Sequence, residues 1–188
     1  SGKTMVYCAL IEQVFAQKKQ ALLLVPEINL TPQTLRFFNH YFKSKQIMLH
    51  SGPNDQQRVQ AWMNAQSGEA DLVIGTRSAI FTPLPRLGLI LVDEEHDTSY
   101  KQQSHLRYHA RDVAIKRAQL DKVPIILGSA TPSLETQHNA NTGKYAYHRL
   151  INRHSGKPMP PITLIDLKGQ PVRGGLSPTT LQHIQNHL

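Results

Sequence analysis

Short apolar runs, separated by longer helix-like segments, make up most of this 188-residue chain. The runs are continuous, as in Ala-Leu-Leu-Leu-Val at 21–25 and Leu-Ile-Leu-Val at 89–92, and polar residues do not interrupt them. Continuous runs are typical of strands that are covered on both faces. Their alternation with helix-like segments predicts an α/β fold, in which helices flank a parallel sheet.

The pattern predicts strands in the first two thirds of the chain and a looser organisation after Gly143. The predicted helices are 3–18, 31–43, 55–66, 110–120 and 179–188. The predicted strands are 21–25, 46–49, 71–74, 88–92 and 123–127, with two more at 145–150 and 162–167. We therefore expect residues 1–143 to form one well-cored domain and residues 144–188 to form a short C-terminal extension.

The charge of the chain favours a polyanionic partner. Lys and Arg outnumber Asp and Glu by 21 to 13, which gives a net charge of +8. From Thr136 onward the excess is steeper, because Asp166 is the single acid in that part of the sequence. Nucleic acid is the common partner of such chains, although many basic proteins bind none.

The single cysteine and the hydropathy of the chain exclude several classes of protein. Cys8 cannot form an internal disulfide or a cysteine-rich zinc site, and its place in an apolar helix predicts a core residue. No apolar run approaches the length of a membrane span, and the N-terminus lacks the apolar segment of a signal peptide. We expect a cytoplasmic location and no membrane partner.

Acidic residues follow the apolar strand at 88–92 directly. Asp93 and Glu94 at a strand end form a Walker B arrangement, in which the first carboxylate binds Mg²⁺ and the second orients and deprotonates water. Glu95 adds a third adjacent acid, and such acids repel unless a cation or basic partners offset them. His96 is expected to contact a neighbouring loop and to report the state of the site. The alternative is an ordinary acidic loop.

Gly2, Lys3 and Thr4 match the last positions of a G-x-x-x-x-G-K-[ST] phosphate loop. At a helix start, backbone N–H groups favour phosphate, Lys3 can reach the β/γ-phosphates of ATP, and Thr4 can bind Mg²⁺ together with Asp93. Taken alone, these residues favour an ordinary capped helix with a solvated lysine, and the presence of Asp93 and Glu94 reverses that balance. We expect the strand and glycine-rich turn of such loops to be absent here, so that the isolated chain hydrolyses little or no ATP.

Further polar junctions come at the ends of the other predicted strands, where ligands bind in open parallel sheets. Ser129, Ala130 and Thr131 are expected to couple the nucleotide site to a nucleic-acid track, although Thr131 before Pro132 also fits a plain helix cap. Five residues at two other junctions suit phosphate and sugar contacts, or are simply caps and turns. These are Pro26, Thr31, Gln33, Thr76 and Arg77.

The polar segment 97–112 interleaves aromatic and basic residues, which suits base stacking and phosphate contact with a single strand. The candidate DNA-binding residues are Tyr100, Lys101, Arg107, Tyr108 and Arg111. A solvated loop pinned by two tyrosines explains the composition equally well. His105 and His109 have a spacing that binds metal on a helix, but the sequence offers no convincing third ligand.

These motifs, read in order, carry a family resemblance. SGKT, PEINLTPQ, GTRSAIF, LILVDEEH, YKQQ with RYHARD, and GSATPS together resemble superfamily 2 helicases, and among them the bacterial replication-restart helicases. The similarity extends through IDLKGQ and GLSP near the C-terminus. The resemblance implies a RecA-like motor lobe that lacks its first strand, followed by the start of a connection to a zinc module and a second lobe.

The same resemblance implies a function and partners. It implies an ATP- and Mg²⁺-dependent 3′-to-5′ DNA helicase that acts at stalled or branched forks during primosome assembly. Its partners would be single-stranded and forked DNA, other primosome proteins and single-strand-binding protein. Zinc is expected in the parent protein but not within this chain. Segment 100–111 corresponds to the family's aromatic-rich loop, in which Leu106 stands where an aromatic residue is expected.

Three other functions compete with this interpretation. A nucleic-acid-binding superfamily 2 translocase lobe without helicase activity of its own would share the fold and the motifs. A passive nucleic-acid-binding module would keep the fold but no longer hydrolyse ATP, and such a decayed motor would have no need for the acids Asp93 and Glu94. A P-loop kinase or transport ATPase would share the nucleotide motifs. It would not explain the GSAT motif or the basic, aromatic segment.

Overall fold

The computed structural model describes residues 2–42, 46–49, 55–150, 162–169, 171–172 and 174–186. The chain divides into two compact units, Ser1–His154 and Ser155–Leu188, whereas the sequence suggested a division after residue 143. The first unit contains the sheet and every residue predicted to bind nucleotide, metal or DNA. In the second, the described part includes one helix whose N-cap, Ser177, accepts a hydrogen bond from the amide of Thr180.

Five parallel strands and six helices form the described fold, which confirms the predicted α/β class. The strands are β1 (Gln20–Leu24), β2 (Gln46–Leu49), β3 (Leu72–Gly75), β4 (Leu87–Asp93) and β5 (Ile125–Gly128). The helices are α1 (Lys3–Ala16), α2 (Pro32–Tyr41), α3 (Asp55–Gln66), α4 (Ala110–Asp121), α5 (Leu134–Asn141) and α6 (Pro178–Gln185). Short 3₁₀ turns, which the sequence pattern did not predict, lie at Glu27–Asn29, Arg77–Phe81 and Thr98–Tyr100.

The sheet has the order β2-β3-β1-β4-β5, and its two faces are buried by different helices. Alternate residues of β1 enter different core clusters: Leu22 packs with residues of α3 and α4, and Leu23 packs with residues of α1 and α2. This double coverage explains why the strands read as continuous apolar runs. The register pairs Asp93 at the end of β4 with Gly128 at the end of β5, so the two motifs meet at one sheet edge.

The first helix also behaves as predicted. Cys8 is fully buried in the cluster between α1 and the sheet, and burial, aided by the charge of Glu12, raises its pKa to about 11. The thiol is therefore a small apolar core group and not a reactive nucleophile. None of the helices in the described part of the chain is both long and apolar enough to cross a membrane.

Two predicted strands are wrong. Residues 145–150 and 162–167 form neither helix nor strand in the described chain, and their apolar side chains point largely into solvent. Leu164, for example, is 93% exposed. An apolar run specifies a strand only when a sheet edge or a facing layer is available to cover it.

Candidate functional site

Lys3 meets the two acids at the end of β4, although about ninety residues separate them in sequence. Its ammonium lies 2.6 Å from Glu94 Oε1 and 3.7 Å from Asp93 Oδ1. Gly2 precedes the helix with φ of 81°, a left-handed conformation that glycine adopts without strain. Thr4 lies exposed in the first turn of α1. The parallel sheet thus brings together the residues predicted to bind nucleotide, while the Mg²⁺ site of Thr4 and Asp93 stays a prediction.

Tyr7 is a residue of this site that the sequence did not reveal. It lies one turn after Lys3 on the same face of α1, and its hydroxyl donates to Asp93 Oδ1 over 2.9 Å. Burial and the neighbouring Asp93 raise the pKa of Tyr7 far above its ordinary value, so the phenol remains a donor. Gly128 makes this approach possible, because a Cβ there would overlap the tyrosine hydroxyl. The signal in the sequence was the i, i+4 spacing of Lys3 and Tyr7.

Glu94 adopts an uncommon backbone conformation. Its φ is 45°, in the left-handed region that non-glycine residues enter only when their surroundings enforce it. Hydrogen bonds on both sides hold this conformation: the Tyr100 hydroxyl donates to the Asp93 carbonyl over 2.7 Å, and the Glu95 amide donates to the Gly128 carbonyl over 3.1 Å. The Glu94 carbonyl itself accepts from the amide of Asp97 over 2.8 Å.

His96 connects the acids to the residues predicted to couple hydrolysis to movement. Its Nδ1 lies 2.7 Å from Ser129 Oγ and 3.7 Å from Glu94 Oε2, and its Nε2 lies 3.3 Å from Thr131 Oγ1. Ala130 lies between the two hydroxyl residues and is exposed. The predicted contact between His96 and a neighbouring loop is confirmed in this geometry.

The alternative interpretation of Thr131 as a helix cap is wrong. Helix α5 begins at Leu134, and Ser133 is its N-cap, since the Ser133 hydroxyl accepts from the Thr136 amide. The N-cap is Ser133 and not Thr131 because the Ser133 amide donates to Glu95 Oε1 over 2.7 Å, which holds the start of α5 beside β4.

Glu95 is fully buried and bonded on both carboxylate oxygens. Oε2 accepts from Arg111 Nη1 (3.1 Å), Thr136 Oγ1 (3.0 Å) and Ser133 Oγ (3.1 Å), in addition to the backbone contact at Oε1. Burial alone would raise the pKa of Glu95, but these bonds outweigh it and hold the pKa below its ordinary value. The three adjacent acids therefore have two basic partners: Lys3 faces Asp93 and Glu94, and Arg111 faces Glu95.

Two candidate DNA-binding residues occupy structural positions, which corrects their assignment. Tyr100 is 0% exposed and belongs to the core cluster between the sheet and α4, so its ring is not available for base stacking in this structure. Arg111 is 8% exposed, and its guanidinium bonds to Glu95, Asp112 and Ser133. A polar, aperiodic segment gives no signal for which of its side chains turn inward.

Residues 101–109, which lie between Tyr100 and the start of helix α4, are called the aromatic loop below. Lys101 and His109 form an antiparallel bridge at its neck, and the amide of Gln102 donates to the carbonyl of Tyr108 over 2.8 Å. Lys101 and Arg107 are exposed, whereas Tyr108 is half-buried. The ring of Tyr108 contacts Phe81 edge to face, with the ring centroids 5.1 Å apart.

A groove of about 620 Å³ runs beside this loop. Thr76, Arg77 and Tyr108, all predicted to contact DNA, line it together with Trp62 of α3. Arg77 also donates from Nη1 to the carbonyls of Ser99 and Lys101, each over 3.1 Å, and so ties the groove to the neck of the loop.

The remaining candidate DNA-binding residues lie at the end of β1. Thr31 and Gln33 are exposed at the start of α2, where Thr31 Oγ1 also caps the helix by accepting from the amide of Thr34. Pro26 is buried. Among the described residues, no group of three or more His, Cys, Asp or Glu side chains is arranged to hold a metal ion by itself.

The fold and the site together define the class of protein. The family model of DEAD/DEAH box helicases matches residues 1–140, and the chain belongs to this family. The replication restart protein PriA of Haemophilus influenzae is 47% identical over 188 residues, which is the whole of this chain and 26% of that protein. PriA of Bacillus subtilis is 44% identical over 177 residues, 94% of this chain and 22% of that protein. The chain thus spans about a quarter of the length of these relatives.

Solved structures agree with the fold. RecG bound to a three-way DNA junction superimposes with a TM-score of 0.53 at 23% identity, over 76% of this chain and 18% of that one. The DUF1998 helicase MrfA gives a TM-score of 0.51 at 18% identity, over 76% of this chain and 25% of that one. At these identities the likeness concerns the fold alone.

Proposed function

We propose that this chain is the first motor lobe of a longer replication-restart DNA helicase that is driven by ATP hydrolysis. The observation that carries the proposal is the convergence of Lys3, Asp93 and Glu94 at one sheet edge, with His96 bridging from the acids to Ser129. The near-complete match of the chain to PriA proteins supports the replication-restart assignment.

The donor set at this edge fits magnesium-bound ATP. An ammonium, a hydroxyl at a helix start and a carboxylate are the groups that bind polyphosphate and Mg²⁺ in nucleotide hydrolases. Lys3 and the first turn of α1 would hold the phosphates, and Thr4 and Asp93 would hold the metal ion. Mg²⁺ when bound would neutralise charge on the phosphates. Glu94 would accept the proton of the attacking water, and Tyr7 would hold the Asp93 carboxylate in place.

The DNA strand would cross the edge formed by the carboxyl ends of the strands, where the polar junctions after β1 and β3 lie. Phosphate and sugar contacts would come from four exposed residues, Thr31, Gln33, Lys101 and Arg107. The groove lined by Arg77 and Tyr108 would bind the adjoining nucleotides of the same strand. Movement from 3′ to 5′, preference for forks, and binding of other primosome proteins and single-strand-binding protein belong to this proposal for the whole protein. So do its cytoplasmic location and a zinc module elsewhere in that protein.

Two substitutions test the ATPase assignment in the full-length protein that carries this lobe. Glu94→Gln should abolish most hydrolysis while nucleotide binding persists, because the amide keeps the shape of the side chain but accepts no proton. Lys3→Ala should instead weaken nucleotide binding. The measurements are steady-state ATPase and binding of a fluorescent ATP analogue, with Glu12→Gln on the exposed face of α1 as the matched charge control.

Near-normal turnover in Glu94→Gln would remove Glu94 from the mechanism. The competing proposal, a translocase lobe that moves on nucleic acid without unwinding it, is separated by a strand-displacement assay. Full-length protein with DNA-stimulated ATPase but no displacement of a forked duplex would favour the translocase.

A further inference from the structure

Helix α3 buries its small apolar side chains and exposes its large ones. It packs on the core cluster through Ala61 and Ala65, which are 9% and 0% exposed. Val59, Trp62 and Met63 are 53%, 40% and 56% exposed. These three residues are called the apolar stripe below, because their spacing places them on one face of the helix. An exposed apolar surface of this kind marks a site of interaction.

The apolar stripe lines the groove of about 620 Å³ beside the aromatic loop. Other parts of the lining come from the junction after β3, with Thr76 and Arg77, and from Tyr108 of the loop. These three residues are candidates for DNA contact, so the stripe is continuous with the surface proposed to hold the strand. Pockets of this size enclose small organic molecules, and the groove has room for a nucleobase with its sugar.

The charged residues that line the groove favour an anionic ligand. They are Arg58, Arg77 and Glu27, so cations outnumber acids. The guanidinium of Arg77 uses Nη1 for the carbonyls of Ser99 and Lys101, and its Nε and Nη2 carry further N–H donors that suit a phosphate. Aromatic rings beside cationic groups are the combination with which proteins hold single-stranded nucleic acid. An apolar protein segment would match the stripe but not the guanidinium.

We infer that the groove binds an unstacked base of single-stranded DNA, and that the ring of Trp62 is the surface on which this base stacks. The inference rests on the proposed function, because it names how the strand of that proposal is held. Backbone contacts position DNA in either form, whereas a base reaches Trp62 only where the strands are separated. The groove therefore selects single-stranded DNA over duplex DNA. Since every base has a π-face, little preference among the bases is expected.

Photo-crosslinking of the wild-type, full-length protein tests the contact directly. The probe is an oligothymidine in which a single 5-iodouracil replaces one base, and a set of probes moves this base along the strand. The crosslinked residue is identified by mass spectrometry. We expect crosslinks to Trp62 or to its neighbour Met63 at some positions of the iodinated base and not at others. Because the wild-type protein is used, the result does not depend on the folding of a variant.

Binding by variants of the full-length protein measures what the ring contributes. Trp62→Ala should raise the Kd for oligothymidine about 5- to 100-fold, the range produced by loss of one base-stacking aromatic. Trp62→Phe keeps a ring and should retain most of the affinity. Neither variant should change the Kd for a blunt duplex, whose bases stack on each other. The matched control is Leu120→Ala, which removes an exposed apolar side chain of α4 outside the groove and should leave both Kd values unchanged.

Two results would overturn the inference while the proposed function stands. In one, crosslinks form only outside the groove and the Kd of Trp62→Ala for oligothymidine is normal, so no base reaches the ring. In the other, Trp62→Ala lowers the melting temperature of the DNA-free protein but leaves both Kd values normal. The apolar stripe would then pack against another part of the longer protein.

A second variant of the apolar stripe guards against loss of the fold. If Trp62→Ala does not fold, as a thermal melt would show, Met63→Ala takes its place, because Met63 is the more exposed of the two. A normal Kd for Met63→Ala, together with no crosslink to the groove, would overturn the inference. A wild-type protein that binds oligothymidine but never hydrolyses ATP would instead overturn the proposed function.

Discussion

Replacement of Tyr100 by phenylalanine removes one hydrogen bond from the core and leaves the shape of the side chain unchanged. The lost bond joins the Tyr100 hydroxyl to the Asp93 carbonyl over 2.7 Å, and the ring is fully buried. Loss of such a bond costs about 1–2 kcal/mol when the acceptor remains away from water. We therefore expect Tyr100→Phe to lower the free energy of unfolding by about 1–2 kcal/mol, and Tyr100→Ala, which also leaves a cavity, by about 3–5 kcal/mol.

The assay is urea unfolding of the 188-residue chain. Trp62, the only tryptophan, provides the fluorescence, and its neighbours Ala61 and Ala65 on α3 belong to the same core cluster as Tyr100. With a slope of about 2 kcal/mol per molar urea, the midpoint of Tyr100→Phe should fall by roughly 0.5–1 M. Tyr108→Phe, a hydroxyl deletion in the half-buried loop tyrosine, is the control and should cost less than about 0.5 kcal/mol.

A base-stacking role would give the opposite result. If Tyr100→Phe and Tyr100→Ala left the midpoint unchanged while Tyr100→Ala weakened DNA binding by the full-length protein, the ring would be exposed in solution. The structural role that burial assigns to Tyr100 would then be wrong, and Tyr100 would be a stacking residue, as the composition of the loop suggests.

Three further predictions concern the same edge of the sheet. Gly128→Ala should lower both the thermal midpoint and ATP-analogue affinity of the full-length protein, because the new Cβ would push Tyr7 away from Asp93; normal values for both would contradict the packing of Tyr7. Because the pKa of Glu95 is lowered by folding, its contribution to stability is present above the ordinary carboxyl pKa and is lost as the pH falls through the folded value. Glu95→Gln should therefore make the free energy of unfolding less dependent on pH at acid pH. The measurement is urea unfolding at a series of pH values, and an unchanged pH dependence in the variant would refute this. Arg107→Ala with Tyr108→Ala should reduce DNA-stimulated ATPase more than basal ATPase or the melting temperature, and a large drop in melting temperature with normal stimulation would make the loop structural.

The fold was predictable because each strand is covered on both faces. Residues such as Leu22 and Leu23 enter different clusters, so no polar residue interrupts the run, and a continuous run implies a parallel sheet. A parallel sheet then requires that residues after neighbouring strands meet. The alternation of strands and helices thus predicts that Asp93 and Gly128 lie at the same edge, but their direct pairing depends on the sheet order β2-β3-β1-β4-β5, which the structure shows.

Side-chain burial within the loops was not predictable in the same way. Tyr100 and Arg111 belong to a polar segment without periodicity, and their burial depends on partners at other strand ends. The start of α5 shows the same limit. Thr131 and Ser133 both flank Pro132 and both carry a capping hydroxyl, and the choice of Ser133 is made by Glu95, 38 residues earlier in the chain.

The two oxygens of the Glu94 carboxylate face different parts of the site. Oε1 bonds to the ammonium of Lys3 over 2.6 Å, and Oε2 lies 3.7 Å from the His96 ring that also contacts Ser129. An ammonium directed at Glu94 has fewer protons to offer to phosphate, so binding of phosphate by Lys3 and release of Oε1 are expected to be linked. The two neighbours of the same residue are bonded to Tyr100 and Arg111, which flank the aromatic loop. Lys3, His96 and these flanking residues therefore reach Glu94 or its neighbours through three separate sets of contacts, so each set can be removed by substitution without removing the other two.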